Sequence, residues 1–298
     1  KDIMDTADMP TEDGTVLHAG RTPARDAAVV RMLRAAGAVI MGKTVTTECA
    51  TYHPGKTRNP HHPEHTPGGS SSGSAAAVAA GMVPLALGSQ TNGSVIRPAA
   101  FCGVYGFKPT HGLIPRSGIM KLSRTLDHVG VFARTLEDVA LLAEQLVGHD
   151  EADPDTRPRA RIPFCAIAAE EPPLPPLLGF VKGPAWERAE EETKQAFAEL
   201  VSELGDRVVE VDLAQATQRS LDWHRTIIQA EMAANLDREW EQGRERLSES
   251  LRSQLARGRE VSALDYQAAL ARIPILVEGF GEIFERCDAL LTPAAAGT

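Results

Sequence analysis

Two glycine- and serine-rich segments contain the residues best suited to catalysis. The first runs from Pro67 to Ser74 and the second from Gly88 to Ser94. Glycine lets a backbone adopt positive φ or approach a ligand closely, so a glycine-rich turn can leave several N–H groups free to point at one spot. An oxyanion hole needs such a group of donors. The second segment therefore predicts acyl transfer with Ser94 as the nucleophile.

A serine nucleophile needs a base to remove its proton. Histidines cluster ahead of the first glycine run, but the Gly-x-Ser-x-Gly elbow that accompanies a catalytic histidine in α/β-hydrolases is absent. The prolines around these histidines favour a loop over a metal site. The histidines are His53, His61, His62 and His65. A lysine is the remaining base, provided that burial lowers its pKa from about 10.4. Spacing alone does not select which lysine.

Composition narrows the class of protein. The formal net charge of −9 over 298 residues argues against a nucleic-acid partner, because phosphate neutralisation needs a surplus of basic residues. No apolar run reaches the roughly 18 residues of a membrane span, and no secretory signal is visible. Four scattered cysteines without a CxxC pair predict free, buried thiols in the cytoplasm rather than a zinc site. They are Cys49, Cys102, Cys165 and Cys287.

Hydrophobic periodicity divides the chain into two halves. The first half alternates helices with strands, which is typical of an α/β sandwich around a central sheet. Its predicted helices are 23–36, 74–80 and 135–147, the last with Thr135 as its N-cap. Its predicted strands are 38–41 and 83–87, the second stopping at Gly88, and its loop is 51–67. The second half combines strands at 178–181 and 208–211 with long charged helices at 185–204, 216–257 and 262–287. These helices predict a layer that covers a sheet and contains no catalytic cluster.

The two loops, in this order and followed by FCGVYGFKPT, resemble the amidase signature family. The likeness is strongest over 65–115 and continues through 126–135. Shorter similarities occur at 1–11, 36–48, 178–187 and 287–298, so it extends over essentially the whole chain. Within the family, GGSSSGSAAA and QTNGSVIRPA look most like the malonamidase-type branch.

The resemblance implies a Ser–Ser–Lys triad. Ser94 is the nucleophile, Ser70 the relay and Lys1 of the Lys-Asp pair the base, although Lys43 in GKTVTTE is a rival. It also implies a cis peptide between Gly69 and Ser70. Backbone N–H groups of 91–94 (Thr91, Asn92, Gly93 and Ser94) would hold the oxyanion of an acyl-enzyme pathway. Neither a metal nor an organic cofactor is required.

Three further residues bear on the substrate. Arg97 follows the nucleophile by three residues, and its planar fork suits a substrate carboxylate; bracing of the loop by pairing with a buried acid is the alternative. Gln90 is the other predicted substrate-binding residue. Asn92 replaces a glycine that is usual in this loop, which puts the geometry of the oxyanion hole in question.

The implied fold is a three-layer α/β/α sandwich with a large mixed central sheet, the amidase signature fold. We expect one amidase domain over 1–298, with a signature core at 1–150 and strands with covering helices at 151–298. Because the chain starts at the presumed base, we also expect a truncated fragment. The partner is a small-molecule amide, and a homodimer is an assembly that the sequence permits.

Three other functions remain open. A glycine–serine loop ahead of a helix can bind phosphate, which would suit a kinase-like module, but a Walker pattern is absent. An amidotransferase A-type chain, which supplies ammonia for tRNA-dependent amidation, typically has an acidic residue where Gln90 stands. A non-catalytic homologue is the third alternative, and the presence of Lys1, Ser70 and Ser94 argues against it.

Overall fold

A computed structural model describes residues 1–213, 217 and 219–297. The chain forms two compact units. The first comprises Lys1–Glu170 together with Glu231–Arg259, and the second comprises Glu171–Ala230 with Glu260–Thr298. The predicted division at residue 150 differs from this one, and folding as a single domain remains a prediction. No helix among the described residues is long and apolar enough to cross a membrane.

The sheet of the first unit is antiparallel. Its strands are β1 (Leu85–Gln90), β2 (Tyr105–Phe107) and β3 (His128–Ala133), in the order β1-β3-β2. The prediction that β1 ends at Gly88 is wrong, because Gly88 pairs with Gly130 and the strand continues to Gln90. A Cβ at Gly88 would lie 2.5 Å from the Phe132 ring. This glycine therefore permits close packing inside the strand instead of ending it.

Within Lys1–Glu170 the α-helices include the three predicted ones, of which two are shorter than predicted and one begins two residues earlier, and two short helices that the sequence does not predict. They are α1 (Ala28–Ala35), α2 (Ser72–Ala79), α3 (Ile96–Phe101), α4 (Leu136–Leu146) and α5 (Phe164–Ala169). Thr135 is the N-cap of α4, as predicted, and its side chain accepts from the Asp138 backbone N–H. This bond satisfies one of the N–H groups that a helix start leaves unpaired.

The strand predicted at 38–41 is not formed. Val39 is 80% exposed and Met41 is 74% exposed, and the segment belongs to neither of the sheets seen in the described residues. A short apolar run indicates burial only when a neighbouring strand or helix covers it. None of the described strands pairs with this one, so the prediction of a buried strand is wrong.

The core of the first unit lies on both sides of its sheet. One cluster contains Ile3, Val131 and Leu146, and residues of the returning segment Glu231–Arg259 contribute Leu251 and Leu255 to it. The other cluster packs helices α2 and α3 around Phe132. The sheet is thus buried on two faces, which fixes the loops at the end of β1.

The second unit contains a parallel sheet in the order β5-β4-β6. Its strands are β4 (Leu178–Phe180), β5 (Val208–Glu210) and β6 (Ala289–Leu291), and its helices are α6 (Glu191–Leu204), α10 (Ala263–Leu270) and α11 (Ile273–Phe284). Helix α7 (Ser220–Asn235) contributes residues from Glu231 onward to the first unit, as do α8 (Asp237–Gly243) and α9 (Glu249–Arg259).

The α/β class is confirmed, with antiparallel and parallel strands lying in two three-stranded sheets of the described residues. The predicted helix 216–257 is three helices, and part of its start lies outside the described residues. The break between α8 and α9 has a local cause. The Glu48 carboxylate accepts the backbone N–H of Ser248 at 3.2 Å, and a negative charge next to the first residue of α9 favours the start of a new helix there.

Candidate active site

Lys1 is a buried base candidate with two serine partners. Its side chain is in a residue only 6% exposed, and its Nζ donates to Ser70 Oγ at 2.7 Å and to Ser89 Oγ at 2.7 Å. The peptide bond between Gly69 and Ser70 is cis. The structure thus brings together the predicted base and relay, 69 positions apart in sequence.

The electrostatic surroundings of Lys1 favour its neutral form. Burial lowers the pKa of Lys1 from 10.5 to about 7; the negative charge of Asp127 raises this pKa, and the positive charge of Arg97 lowers it further. Removal of water disfavours an ammonium more than a neutral amine. A substantial fraction of Lys1 is therefore neutral near pH 7, as a general base must be.

Lys43, the rival base, is occupied elsewhere. Its Nζ donates to Thr11 Oγ1 at 2.6 Å and to Met4 O at 2.8 Å, and it lies 3.1 Å from Asp2 Oδ1. These contacts fix the segment that follows Lys1. Neither Ser70 nor Ser94 is among the hydrogen-bond partners of Lys43 within the described chain.

Serines of the first loop hold the backbone around Ser70. Ser71 Oγ contacts both the N–H and the carbonyl of Ser89 at 3.2 Å. Ser74 Oγ donates to Leu87 O at 2.7 Å, and Ser72 Oγ donates to Val45 O at 3.3 Å. Ser71 and Ser74 thus connect the start of α2 to β1, so Ser70 and Ser89 are presented to Lys1 from two fixed elements.

Ser94 lies two residues before α3 and is buried. In the described part of the chain, its hydroxyl makes no hydrogen bond to Ser70, and the backbone N–H groups of Asn92, Gly93 and Ser94 have no partner. Gly93 has φ of +79°, a conformation that favours glycine. The loop therefore leaves three consecutive N–H groups available, and the role of 91–94 as an oxyanion hole remains a prediction.

Thr91 begins this loop, and its hydroxyl is engaged. Thr91 Oγ1 donates to Asp127 Oδ1 at 2.5 Å. Asp127 also accepts two backbone N–H groups through Oδ2. The first residue of the predicted oxyanion loop is thereby attached to the turn that precedes β3.

Arg97 connects the two glycine–serine loops. Its Nη2 donates to Gly69 O at 2.8 Å and to Asn92 O at 3.2 Å. No carboxylate forms an ion pair with Arg97 in the described residues, so the predicted bracing occurs through carbonyl oxygens and not through an acid. Burial lowers the pKa of Arg97. The side chain also lines a cavity of about 210 Å³ with Tyr52 and Phe101.

Gln90 and Asn92 both make contacts within the protein. Gln90 Oε1 accepts the N–H groups of Val95 at 2.9 Å and Ile96 at 3.1 Å, so its oxygen stabilises the first turn of α3. Asn92 Nδ2 donates to Tyr52 Oη at 2.8 Å. The side chain that replaces the usual glycine points to Tyr52, and a substrate role for Gln90 remains a prediction.

Sequence reasoning does not give the contact of Ser89 with Lys1 or that of Asp127 with Thr91. Ser89 escapes it because the pattern ends β1 at Gly88. Alternation along a continuing strand would place Ser89 on the same face as Leu87, directly before the loop. For Asp127, as for His128, the sequence leaves a position near the site open and favours a structural role, and no spacing in it connects Asp127 to Thr91.

The histidine-rich loop is a separate region. His62 and His65 form an edge-on ring pair with centroids 4.3 Å apart, and His61 Nε2 lies 3.0 Å from Cys102 O. Among the described residues, no group of three His, Cys, Asp or Glu side chains is placed to hold a metal ion. All four cysteines are free thiols, and Cys165 is the one that is only partly buried.

Comparison with known proteins shows the family of this chain. The family model described as Amidase matches residues 1–298. A curated relative, the A chain of the glutamyl-tRNA(Gln) amidotransferase of Thermus thermophilus, is 41% identical over 256 residues, which cover 80% of this chain and 52% of that protein. The chain thus spans about half the length of the curated relative.

Solved structures agree. The corresponding glutamyl-tRNA(Gln) amidotransferase chain of Thermotoga maritima has a TM-score of 0.84 and 33% identity, covering 100% of this chain and 67% of its own. The peptide amidase of Stenotrophomonas maltophilia has a TM-score of 0.75 and 30% identity, covering 90% of this chain and 62% of its own. The family match over the whole chain and these structural likenesses show that the chain belongs to the amidase family.

Proposed function

We propose that this chain contains the catalytic centre of an amidase, in which Ser94 attacks the amide carbonyl with help from Ser70 and Lys1. The observation that carries the proposal is the 2.7 Å hydrogen bond from Lys1 Nζ to Ser70 Oγ. It is accompanied by burial that lowers the pKa of Lys1 to about 7. A neutral amine that is hydrogen-bonded to a serine hydroxyl can accept a proton from that hydroxyl directly, so Ser70 can pass a proton from Ser94 to Lys1.

The proposed reaction has two halves. Neutral Lys1 takes the Ser70 proton while Ser70 takes the Ser94 proton, and Ser94 Oγ forms a bond to the carbonyl carbon. The tetrahedral intermediate collapses as the C–N bond breaks, and the nitrogen leaves as ammonia or an amine after receiving a proton back through Ser70. Water then attacks the acyl-enzyme by the same path and releases the carboxylate.

Backbone donors supply the electrostatic part of the proposal. The unpaired N–H groups of Asn92, Gly93 and Ser94, with Thr91 at the head of the loop, are the donors for the oxyanion. Removal of one such donor typically lowers kcat by about 10²- to 10³-fold. The four residues together form the proposed oxyanion hole, and the chemistry calls for no cofactor.

Arg97 suggests the substrate class. It is a partly buried guanidinium without a carboxylate partner in the described chain, and an uncompensated buried charge favours a ligand of opposite charge. We propose small amides that bear a free carboxylate, as in the malonamidase-type branch. Gln90 is the second proposed substrate contact, through its amide nitrogen.

The test is a panel of small amides with and without a carboxylate, offered to the full-length protein, with ammonia release as the measurement. Ser94→Ala is expected to abolish turnover. Arg97→Ala is expected to lower turnover of both sets, because the guanidinium also joins the two loops through Gly69 O and Asn92 O, and to lower it further for the carboxylate-bearing amides, which lose their ionic partner. Full activity of Ser94→Ala would contradict the proposed nucleophile, and equal loss on both sets of amides would contradict the role of Arg97.

An amidotransferase chain is the second candidate, favoured by 41% identity to such a protein. In that case the chain releases ammonia from an amide donor for use by a partner protein. Gln90 replaces the typical acidic residue, and its oxygen is already bound by α3. Co-purification of the full-length protein from its own source distinguishes the two: a stoichiometric partner favours the amidotransferase, and a lone chain or homodimer favours the amidase. A cytoplasmic location remains a prediction in both cases.

A further inference from the structure

Asp127 is bound on both carboxylate oxygens. Thr91 Oγ1 donates to Oδ1 at 2.5 Å, and the backbone N–H groups of Leu122 and Ser123 each donate to Oδ2 at 2.9 Å. All three contacts are donated to the carboxylate, the pattern of an ionised acceptor; burial raises the pKa of Asp127, and these three contacts oppose that rise. Asp127 therefore joins one turn of the backbone to the first residue of the oxyanion loop.

The turn that carries Asp127 is itself anchored. The Glu231 carboxylate, on helix α7, accepts the hydroxyls of Ser123 and Thr125 and the Thr125 backbone N–H. Asn235 Nδ2 donates to Leu122 O at 3.0 Å. Helix α7 therefore holds the turn that precedes Asp127, and Asp127 in turn holds Thr91 in place.

Arg116 supports the same turn from another direction. Its Nη1 donates to the Asp127 carbonyl oxygen at 3.1 Å, while its other nitrogens pair with Asp153 and Asp155. Arg116 therefore does not bond to the Asp127 carboxylate, which accepts hydrogen bonds from Thr91 and the two backbone N–H groups. A hydrogen bond to an ionised group is stronger than one between neutral groups, so the Thr91 contact restrains the loop effectively.

We propose, on the basis of the proposed amidase function, that Asp127 is a positioning residue that sets the geometry of the oxyanion loop through Thr91. The three unpaired N–H groups follow Thr91 directly, so displacement of this residue displaces all of them. Small displacements matter, because stabilisation of a developing oxyanion depends on donors aimed at its final position. Asp127 also lies close enough to Lys1 to influence the base by its charge.

The experiment uses full-length protein with Thr91→Val, Thr91→Ser and Asp127→Asn. Thr91→Val retains the shape but loses the donor, and it is expected to lower kcat by about 10- to 100-fold through misplacement of the loop. KM should stay within about threefold of wild type, because the substitution does not change the contacts that bind the substrate in its ground state. Thr91→Ser restores the hydroxyl and is expected to return kcat to within about threefold of wild type.

The matched control is Asp150→Asn. Asp150 also accepts a serine hydroxyl, from Ser117, but neither residue contacts the catalytic loops. This variant is expected to retain wild-type kcat. Thermal unfolding of every variant separates loss of fold from loss of loop geometry.

The pH profile separates positioning from simple destabilisation. Asp127→Asn removes a negative charge that raises the pKa of Lys1, so the acid limb of kcat/KM is expected to move to lower pH, whereas Thr91→Val leaves the limb in place. Wild-type kcat in Thr91→Val, or no rescue by Thr91→Ser, would overturn the proposal while the amidase assignment stands. Absence of both ammonia release and Ser94 labelling by a fluorophosphonate in wild type would refute the proposed function, and this inference with it.

Discussion

The two glycine–serine loops and the second unit differ in how their residues are held. Around the loops, serine hydroxyls contact backbone atoms of distant segments, as in the bond from Ser74 to Leu87, and Phe132 is fully buried beneath them. In the second unit, helices α6 and α11 contain no fully buried residue. Their polar contacts include near neighbours, such as Lys194 with Glu191.

This difference shows where sequence and function constrain each other. A catalytic loop needs several atoms fixed relative to one another, so its residues are tied to elements far away in the chain. A covering helix needs only an amphipathic pattern, and many sequences provide one. We therefore expect substitutions in the loop region to change activity or stability strongly, and comparable substitutions in the second unit to have little effect.

The largest expected effect comes from Lys1→Met in the full-length protein. Loss of the base is expected to lower kcat by about 10²- to 10⁴-fold, measured as ammonia release. Lys194→Met in the second unit is the control, because its exposed pair with Glu191 contributes only about 0.3–0.5 kcal/mol. If the Lys1→Met enzyme were active, Lys1 could not be the base of the proposed triad. The expectation that substitutions near the loops have larger effects than those in the second unit would also fail.

Packing gives the next effect. Phe132→Ala is expected to lower the free energy of unfolding by about 3–5 kcal/mol, because it removes a fully buried ring and leaves a cavity. Leu264 in α10 is 83% exposed, and Leu264→Ala is expected to change stability by less than about 0.5 kcal/mol. Chemical denaturation of both variants measures the difference. Equal losses would show that the second unit is packed as tightly as the loop region.

Two helix glycines sharpen the comparison further. A Cβ at Gly73 in α2 would lie 2.4 Å from the Val45 backbone nitrogen, whereas one at Gly279 in α11 would meet nothing within 4 Å. Gly73→Ala is expected to destabilise by about 1–3 kcal/mol through overpacking. Gly279→Ala is expected to stabilise by about 0.4–1 kcal/mol through reduced backbone entropy of the unfolded chain. Thermal unfolding gives both signs, and a stabilised Gly73→Ala would contradict the close approach of α2 to residue 45.

The features that the sequence predicts correctly depend on local signals. Thr135 as a helix cap and the glycine–serine loops follow from turn and cap chemistry, which acts over a few residues. The contact of Lys1 with Ser70 is reached only through family resemblance, since no periodicity connects residues 69 positions apart. Val39 is misassigned because an apolar run indicates burial without showing what covers it. Ser89 and Asp127 depend on strand register and tertiary contacts, which composition does not encode.

The last expected effect is the pH dependence of catalysis, about tenfold for each pH unit. The pKa of Lys1 is lowered to about 7 by burial, and the reaction uses neutral Lys1. The quantity kcat/KM should therefore fall about tenfold per unit as pH drops below this value, and it should level off above it. Lys194 in the second unit lies outside the catalytic loops, so Lys194→Met should leave this limb unchanged. A profile that still rises up to about pH 10 would mean that the base titrates near the ordinary lysine value. In that case burial in the loop region would not lower the pKa of Lys1, and this difference between the loop region and the second unit would disappear.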